Sequence, residues 1–260
     1  MTNSEHPLLT TADGPPVEVL CPSGQGPVLL VCEHAANRFP AGLRTLGLSP
    51  EARLSHAAWD PGASDLARAL SARLNAPLVA ARFSRLVYDC NRPPEAPGAL
   101  PTQSERFAIP GNAALNTANR AARTAGIYHP FHSALADQLA AMSRPALVTI
   151  HSFTPVFHGQ RRDTELGLLF TDRDDRLARA MLSCPGLPPN TAPNAPYGPG
   201  DGVFHTLEKH ALPHGLLNVM IEVRNDLLTT PETVSHMADT LERMLTFGLS
   251  RFGRLQAQSS

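Results

Sequence analysis

No apolar run in the chain approaches the roughly 18 residues needed to span a bilayer, so no transmembrane segment is expected. The stretch Met1–Pro16 lacks a basic segment followed by an apolar one, so no secretory signal is read there. Excess charge of either sign is also missing. Lys plus Arg number 22 against 23 Asp plus Glu, a net charge of −1, which argues against electrostatic binding to nucleic acid or an acidic membrane. Cysteines are few: Cys21, Cys32, Cys90 and Cys184 form no C-x-x-C pair and no zinc-finger spacing. They read as free thiols, Cys32 and Cys90 buried at strand ends, which fits a cytoplasmic, reduced protein. There is no G-x-G-x-x-G and no G-x-x-x-x-G-K-[ST], so a nucleotide cofactor is not expected. H-E-x-x-H and G-x-S-x-G are absent too, as are internal repeats and heptads.

Proline, by contrast, is plentiful at 25 residues and points to many loops and abrupt element ends. The 260 residues suffice for one large domain or two small ones. Residues 1–26 read as a tail or edge flap, 27–252 as one catalytic α/β domain and 253–260 as a second tail. Pro27–Cys32 is a continuous apolar run, the pattern of a strand buried on both faces. Ser49-Pro50-Glu51 opens a short helix. Gly62–Leu74 carries Leu66, Leu70 and Leu74 as an apolar stripe. Pro77–Ala81 and Ser84–Tyr88 are strand-like, and residues 91–112 form a long loop. Ala113–Ala125 is helical, with a break at Gly126 and Pro130 before a helix from Phe131 to Met142. Leu147–Ile150, Leu166–Phe170 and Leu216–Val223 are strands. Asp172–Ser183 and a segment from Thr230 to about Phe252 are helices, and 185–203 is a second long loop. The alternation predicts a three-layer α/β sandwich with a mostly parallel or mixed central sheet.

Polar residues cluster at the ends of these strands, where open α/β sheets place their chemistry. His34 follows the first strand and His151 ends a later one. A catalytic zinc takes three protein ligands, commonly two histidines and a carboxylate, and keeps one position open. The third ligand is open between Asp60, Glu33 and Asn37. Asp60 precedes a helix that it could cap instead. Glu33 adjoins His34, and neighbouring side chains near a strand end point opposite ways. Asn37 is a poor zinc ligand. Arg85 and Asp89 share a strand face, with Asn91 and Arg92 just beyond. A guanidinium there can fork onto a carboxylate, and Asp89 can orient an arginine or a histidine. Glu222 ends an apolar strand, so burial should raise its pKa toward that of a general base; a salt bridge to Arg224 is the plain alternative. Tyr128-His-Pro-Phe-His132 reads as a helix break with a buried aromatic.

Taken together, Cys32-Glu-His-Ala-Ala-Asn37, Trp59-Asp60-Pro-Gly-Ala63, Ser84-Arg-Leu-Val-Tyr-Asp-Cys-Asn-Arg92, Tyr128-His-Pro-Phe-His132, His151-Ser-Phe-Thr-Pro155 and Ile221-Glu-Val-Arg-Asn-Asp226 resemble the N-formylglutamate amidohydrolase family. The motifs keep the family's order from about residue 27 to 250. The resemblance implies a zinc carboxypeptidase-like (phosphorylase/hydrolase-like) α/β fold shared with aspartoacylase. It implies one Zn2+, or another divalent metal, and hydrolysis of an N-formyl or N-acyl amino acid. N-formyl-L-glutamate is the first choice of substrate, giving formate and the free amino acid, as in amino-acid catabolism. Carried over, His34 and His151 are metal ligands and Glu222 the general acid/base; Asp60 is taken as the third ligand. Arg85 polarises the scissile carbonyl, and Asp89 stands behind the first shell of residues. Asn91, Arg92, Arg162 and Tyr197 meet the substrate. Two positions depart from the pattern. Related enzymes have a glutamate three residues after the first ligand histidine, where this chain has Asn37. Arg162-Asp-Thr stands where the family often has Arg-Pro-Trp. A non-catalytic carboxylate-binding member, or a deacylase for another acyl group, are the alternatives.

Overall fold

A computed structural model of the chain describes residues 8–253. The strands are β1 (Val17–Leu20), β2 (Val28–Cys32), β3 (Leu78–Ala81), β4 (Gln103–Ser104), β5 (Phe107–Ala108), β6 (Ala146–Phe153), β7 (Val156–Phe157), β8 (Gln160–Arg161), β9 (Leu166–Leu169), β10 (Thr191–Pro193) and β11 (Asn218–Arg224). The helices are α1 (Pro50–Leu54), α2 (Ala63–Leu74), α3 (Thr117–Arg123), α4 (His129–Ala141), α5 (Arg176–Leu182), α6 (His205–His210) and α7 (Pro231–Ser250).

β2 is buried along its whole length because both faces are covered. Its side chains alternate between two cores. Val28, Leu30 and Cys32 pack with Ile150, Ile221, Leu66 of α2, Leu177 of α5 and Leu241 of α7. Leu29 and Val31 pack on the opposite face with Phe131 and Leu135 of α4 and Leu207 of α6. The seven-stranded sheet between them runs β1-β3-β2-β6-β11-β9-β10. β3, β2, β6 and β11 are mutually parallel, so their carboxyl ends share one edge. β1 and β9 run antiparallel to their neighbours β3 and β11. The result is a mixed, mostly parallel α/β sheet covered by helices on both faces. No helix among the described residues is long and apolar enough to cross a membrane.

Several stretches differ from their sequence reading: the expected loop 185–203 contributes β10 to the main sheet, and the expected loop 91–112 holds the β4–β5 pair. Residues 17–20, expected within a tail or flap, are the edge strand β1. β6 runs on to Phe153, so His151 lies inside the strand rather than beyond it. Ser84–Tyr88 is a turn and not a strand. Its cause is Ser84, whose hydroxyl accepts from Leu86 N at 3.1 Å and whose carbonyl accepts from Val87 N at 2.8 Å. Finally, Gly126 does not break the helix: a π-helical turn over Thr124–Tyr128 joins α3 to α4. The expected tail beyond Gly253, like residues 1–7, lies outside the described residues.

The 84–92 turn is held from outside the sheet. Arg123 is buried without an acidic partner and donates to Val87 O at 3.2 Å and to Asn112 Oδ1 at 2.6 Å. Asn112 in turn donates to Leu86 O and Pro101 O at 2.9 and 2.8 Å. The long 91–112 loop is thereby pinned to the turn it follows.

Gly167 of β9 pairs with Glu222 of β11, and a Cβ at Gly167 would overlap the Ala195 carbonyl oxygen. Gly167→Ala is expected to cost about 1–3 kcal/mol of stability by overpacking. Urea denaturation checks this; an unchanged midpoint would show that the 194–197 loop yields freely.

Candidate active site

Three parallel strands and two connections bring the polar residues to one edge of the sheet. β2 delivers Glu33 and His34 as it ends. β6 and β11 are in register with His151 opposite Glu222. Asp60 is drawn in by a backbone bond from its N–H to the His34 carbonyl at 3.0 Å. Gly62, at φ +80°, then turns the chain into α2, where a side chain would strike Leu228. Gly62 is the N-cap of that helix and no side chain caps it, so Asp60 is not spent as a cap.

The Asp60 carboxylate faces both histidines. Its Oδ2 lies 3.3 Å from His34 Nδ1 and 2.9 Å from His151 Nδ1. The far side of each ring meets another carboxylate: His34 Nε2 is 2.8 Å from Asp89 Oδ1, and His151 Nε2 is 3.1 Å from Glu33 Oε2. Carboxylates at both Nε2 atoms favour the Nε2–H tautomers, which aims both Nδ1 lone pairs at Asp60. Asp60 Oδ1 pairs with the Arg85 guanidinium, and His56 Nδ1 stands 3.6 Å away.

Burial and neighbouring charges set the protonation states. Burial and the Arg85 charge push His34 down to about 4, against the pull of Asp89. Burial likewise lowers His151, but Glu33 outweighs it and leaves His151 above its ordinary value. Glu33 is raised by burial and lowered more strongly by His151, to about 2. Asp89 is held well below the carboxylate range: burial raises it, but His34 and Arg92 prevail. Burial raises Glu222 against the opposing charges of His151 and Arg85. His56 is driven far down by burial and Arg85, so it stands neutral.

His34, Asp60 and His151 are all buried, and their ligand atoms lie within 4.8 Å of one another. Two imidazole nitrogens and one carboxylate oxygen are the donor set of a catalytic zinc site. The electrostatics agree. Four buried carboxylates, Glu33, Asp60, Asp89 and Glu222, face two arginines, Arg85 and Arg92, and a divalent cation would balance them. Glu33 Oε1 and Glu222 Oε2 are buried without a hydrogen-bond partner, an arrangement costly for a site holding no cation. The group could therefore hold a metal. Of the other two candidates for the third ligand, Glu33 sits behind His151. Asn37 points away, donating to Arg53 O at 3.2 Å.

A cavity of about 310 Å³ opens onto this group. Glu222, Arg85, Asp89, Asn91, Arg92 and Tyr197 line it. Glu222 is not paired with Arg224, which binds Asp226 at 2.8 Å instead. Asn91 spends its amide on the backbone, donating to Val203 O at 2.6 Å and accepting from Thr206 N at 3.0 Å. Arg162 does not line the cavity. It donates to the Tyr197 hydroxyl at 3.2 Å and lies over the Phe157 and Tyr197 rings, 4.3 and 5.0 Å from their centroids. Among the lining residues the sequence reading missed are His56, Phe157, Asp201 and Val203. His56 carried a usable signal, since it stands four residues before Asp60 in the Trp59-Asp60 motif. Phe157 ends the short strand β7, and Asp201 and Val203 lie between β10 and α6, where no local pattern reveals the course of the chain.

The raised Glu222 carboxyl holds its proton more tightly folded than unfolded. Its contribution to stability is therefore present at low pH and lost as pH rises through its folded pKa. In metal-free protein, Glu222→Gln is expected to add about 1 kcal/mol at pH 8, a gain that closes below about pH 4. Urea titrations at the two pH values test it; a variant less stable than the parent at pH 8 would reverse the assignment.

The crystal structure of gene product Atu2144 from Agrobacterium tumefaciens matches with a TM-score of 0.91 at 50% identity, over 95% of this chain and 99% of that one. The crystal structure of N-formylglutamate amidohydrolase from Ralstonia eutropha JMP134 matches with a TM-score of 0.61 at 19% identity, over 92% of this chain and 99% of that one, a likeness of fold. No curated protein matches the chain. A family model described as N-formylglutamate amidohydrolase matches residues 26–229, most of the length, and the chain belongs to that family.

Proposed function

We propose that the chain hydrolyses N-formyl-L-glutamate, or a closely similar N-acyl amino acid, to formate and the free amino acid, and that it needs one zinc ion to do so. The observation that carries this reading is the convergence of His34 Nδ1, His151 Nδ1 and Asp60 Oδ2 beside a cavity walled by a buried, unpaired glutamate. On the same reading the sheet is of the zinc carboxypeptidase-like type, and the free thiols suit a cytoplasmic enzyme.

When bound by His34, Asp60 and His151, the ion supplies Lewis acidity and makes water a nucleophile near neutral pH. Glu222 faces the same space with a raised pKa, so it can take a proton from the attacking water and return it to the departing amine nitrogen. Arg85 Nε has no hydrogen-bond partner, which leaves it available to the carbonyl oxygen as negative charge builds there. Arg92 meets no carboxylate among the described residues and is our choice for the substrate carboxylate. Tyr197, steadied by Arg162, forms the facing wall. Glu33 and Asp89 hold the ligand histidines by their second nitrogens.

Formate release from N-formyl-L-glutamate is expected to vanish when the protein is stripped of metal and to return with zinc. Tight zinc binding without release would point to a different acyl group, and absence of zinc binding would overturn the ligand set. Glu222→Gln is expected to keep its zinc, measured by elemental analysis, and to lower kcat by about 10²–10⁴-fold. Turnover equal to the parent would remove Glu222 from its role.

A further inference from the structure

Tyr128-His-Pro-Phe-His132 has no part in the chemistry above, yet it stands directly behind the Asp89–Arg92 turn. His132 Nε2 is 3.0 Å from the Cys90 carbonyl oxygen, and His132 Nδ1 is 2.8 Å from His210 Nε2. A carbonyl oxygen only accepts, so His132 Nε2 carries the proton. Burial and the neighbouring His210 keep His132 neutral, with its pKa pushed down to about 3. Its Nδ1 is then a lone pair, and His210 Nε2–H must donate to it. The two rings are buried and nearly parallel, 11° apart. Hydrogen bonds thus run one way, from His210 on α6 through His132 on α4 into the Cys90 carbonyl.

The same turn grips the opposite end of α6. Asn91 bonds Val203 O and Thr206 N, and the Arg92 guanidinium donates to Gly202 O. Tyr128, one turn before His132, places its hydroxyl 2.8 Å from His205 Nε2. Cys90 therefore stands between Asp89, which backs His34, and two residues that line the cavity. The π-helical turn over Thr124–Tyr128 leads directly into the start of α4, where these rings sit.

We propose that the His210–His132 pair is a positioning device for the Asn91–Arg92 turn, setting how Arg92 is presented to a carboxylate-bearing substrate. For its substrate the inference rests on the hydrolase reading; for its geometry it does not. His132→Phe keeps a ring and removes both hydrogen bonds, whereas His132→Gln keeps a donor for the Cys90 carbonyl. In zinc-loaded enzyme, His132→Phe is expected to raise KM for N-formyl-L-glutamate about tenfold while kcat stays within about threefold, and His132→Gln to recover most of the loss. Backbone amide exchange across 203–206 is expected to quicken about tenfold in the Phe variant. An unchanged KM, a fall in kcat alone, or no recovery with Gln would overturn the proposal. If the parent enzyme releases no formate, N-formyl-L-glutamate is not its substrate, KM cannot be read with it, and exchange alone decides: faster exchange supports the device and unchanged exchange rejects it. If His132→Phe does not fold, His210→Phe removes the outer donor only. A smaller rise in KM is then expected, and parental KM would reject the pair.

Discussion

The site depends on one carboxylate oxygen held between two imidazole nitrogens. Asp60 Oδ2 lies close to both His34 Nδ1 and His151 Nδ1, and so joins the end of β2 to β6. Three electron-rich atoms converging in a buried place repel one another unless a proton or a cation lies among them. Without a metal, a proton on His151 can serve, since that ring then donates to Glu33 and Asp60 together, which agrees with its raised pKa. A cation in the same place would release that proton, so metal binding and proton loss are coupled here.

Around this centre the structure is a series of supports. Glu33 and Asp89 face the outer nitrogens of the His151 and His34 rings, and Asn91, His132 and Arg123 fix the turn that carries Asp89. Asp89, Asn91, His132 and Arg123 are buried polar groups with defined hydrogen-bond partners, the kind of network that rigidifies a site. Two unpartnered polar atoms, Arg85 Nε and Glu222 Oε2, belong to residues that line the cavity. Rigidity behind the wall and unsatisfied groups on it are what a preorganised site requires.

Much of this was legible in the sequence. A buried strand shows itself as an apolar run, so the polar residue that ends it stands out; His34, His151 and Glu222 were found in that way. Asp60 was harder. Whether it caps α2 or faces the histidines depends on the left-handed turn at Gly62 and on Leu228, some 170 residues away in sequence. Ser84–Tyr88 has strand-forming residues, but a serine hydroxyl and a buried arginine from a distant helix fold it into a turn. The Arg85–Asp60 pair and the His132–His210 pair are tertiary contacts with no local signature. The α3–α4 junction misled for a related reason: glycine and proline suggest a break, yet a π-helical turn takes in Gly126 and Pro130 sits in the first turn of α4.

The donors of the central group come from positions 34, 60 and 151, with Glu222 still further along. No short fragment of the chain contains the group. Contacts of such long sequence separation form late and slow folding. An ion that binds only the completed arrangement adds its binding free energy to the native state alone. Cellular supply of that ion would thus govern how long the finished protein persists, separately from how fast it turns over.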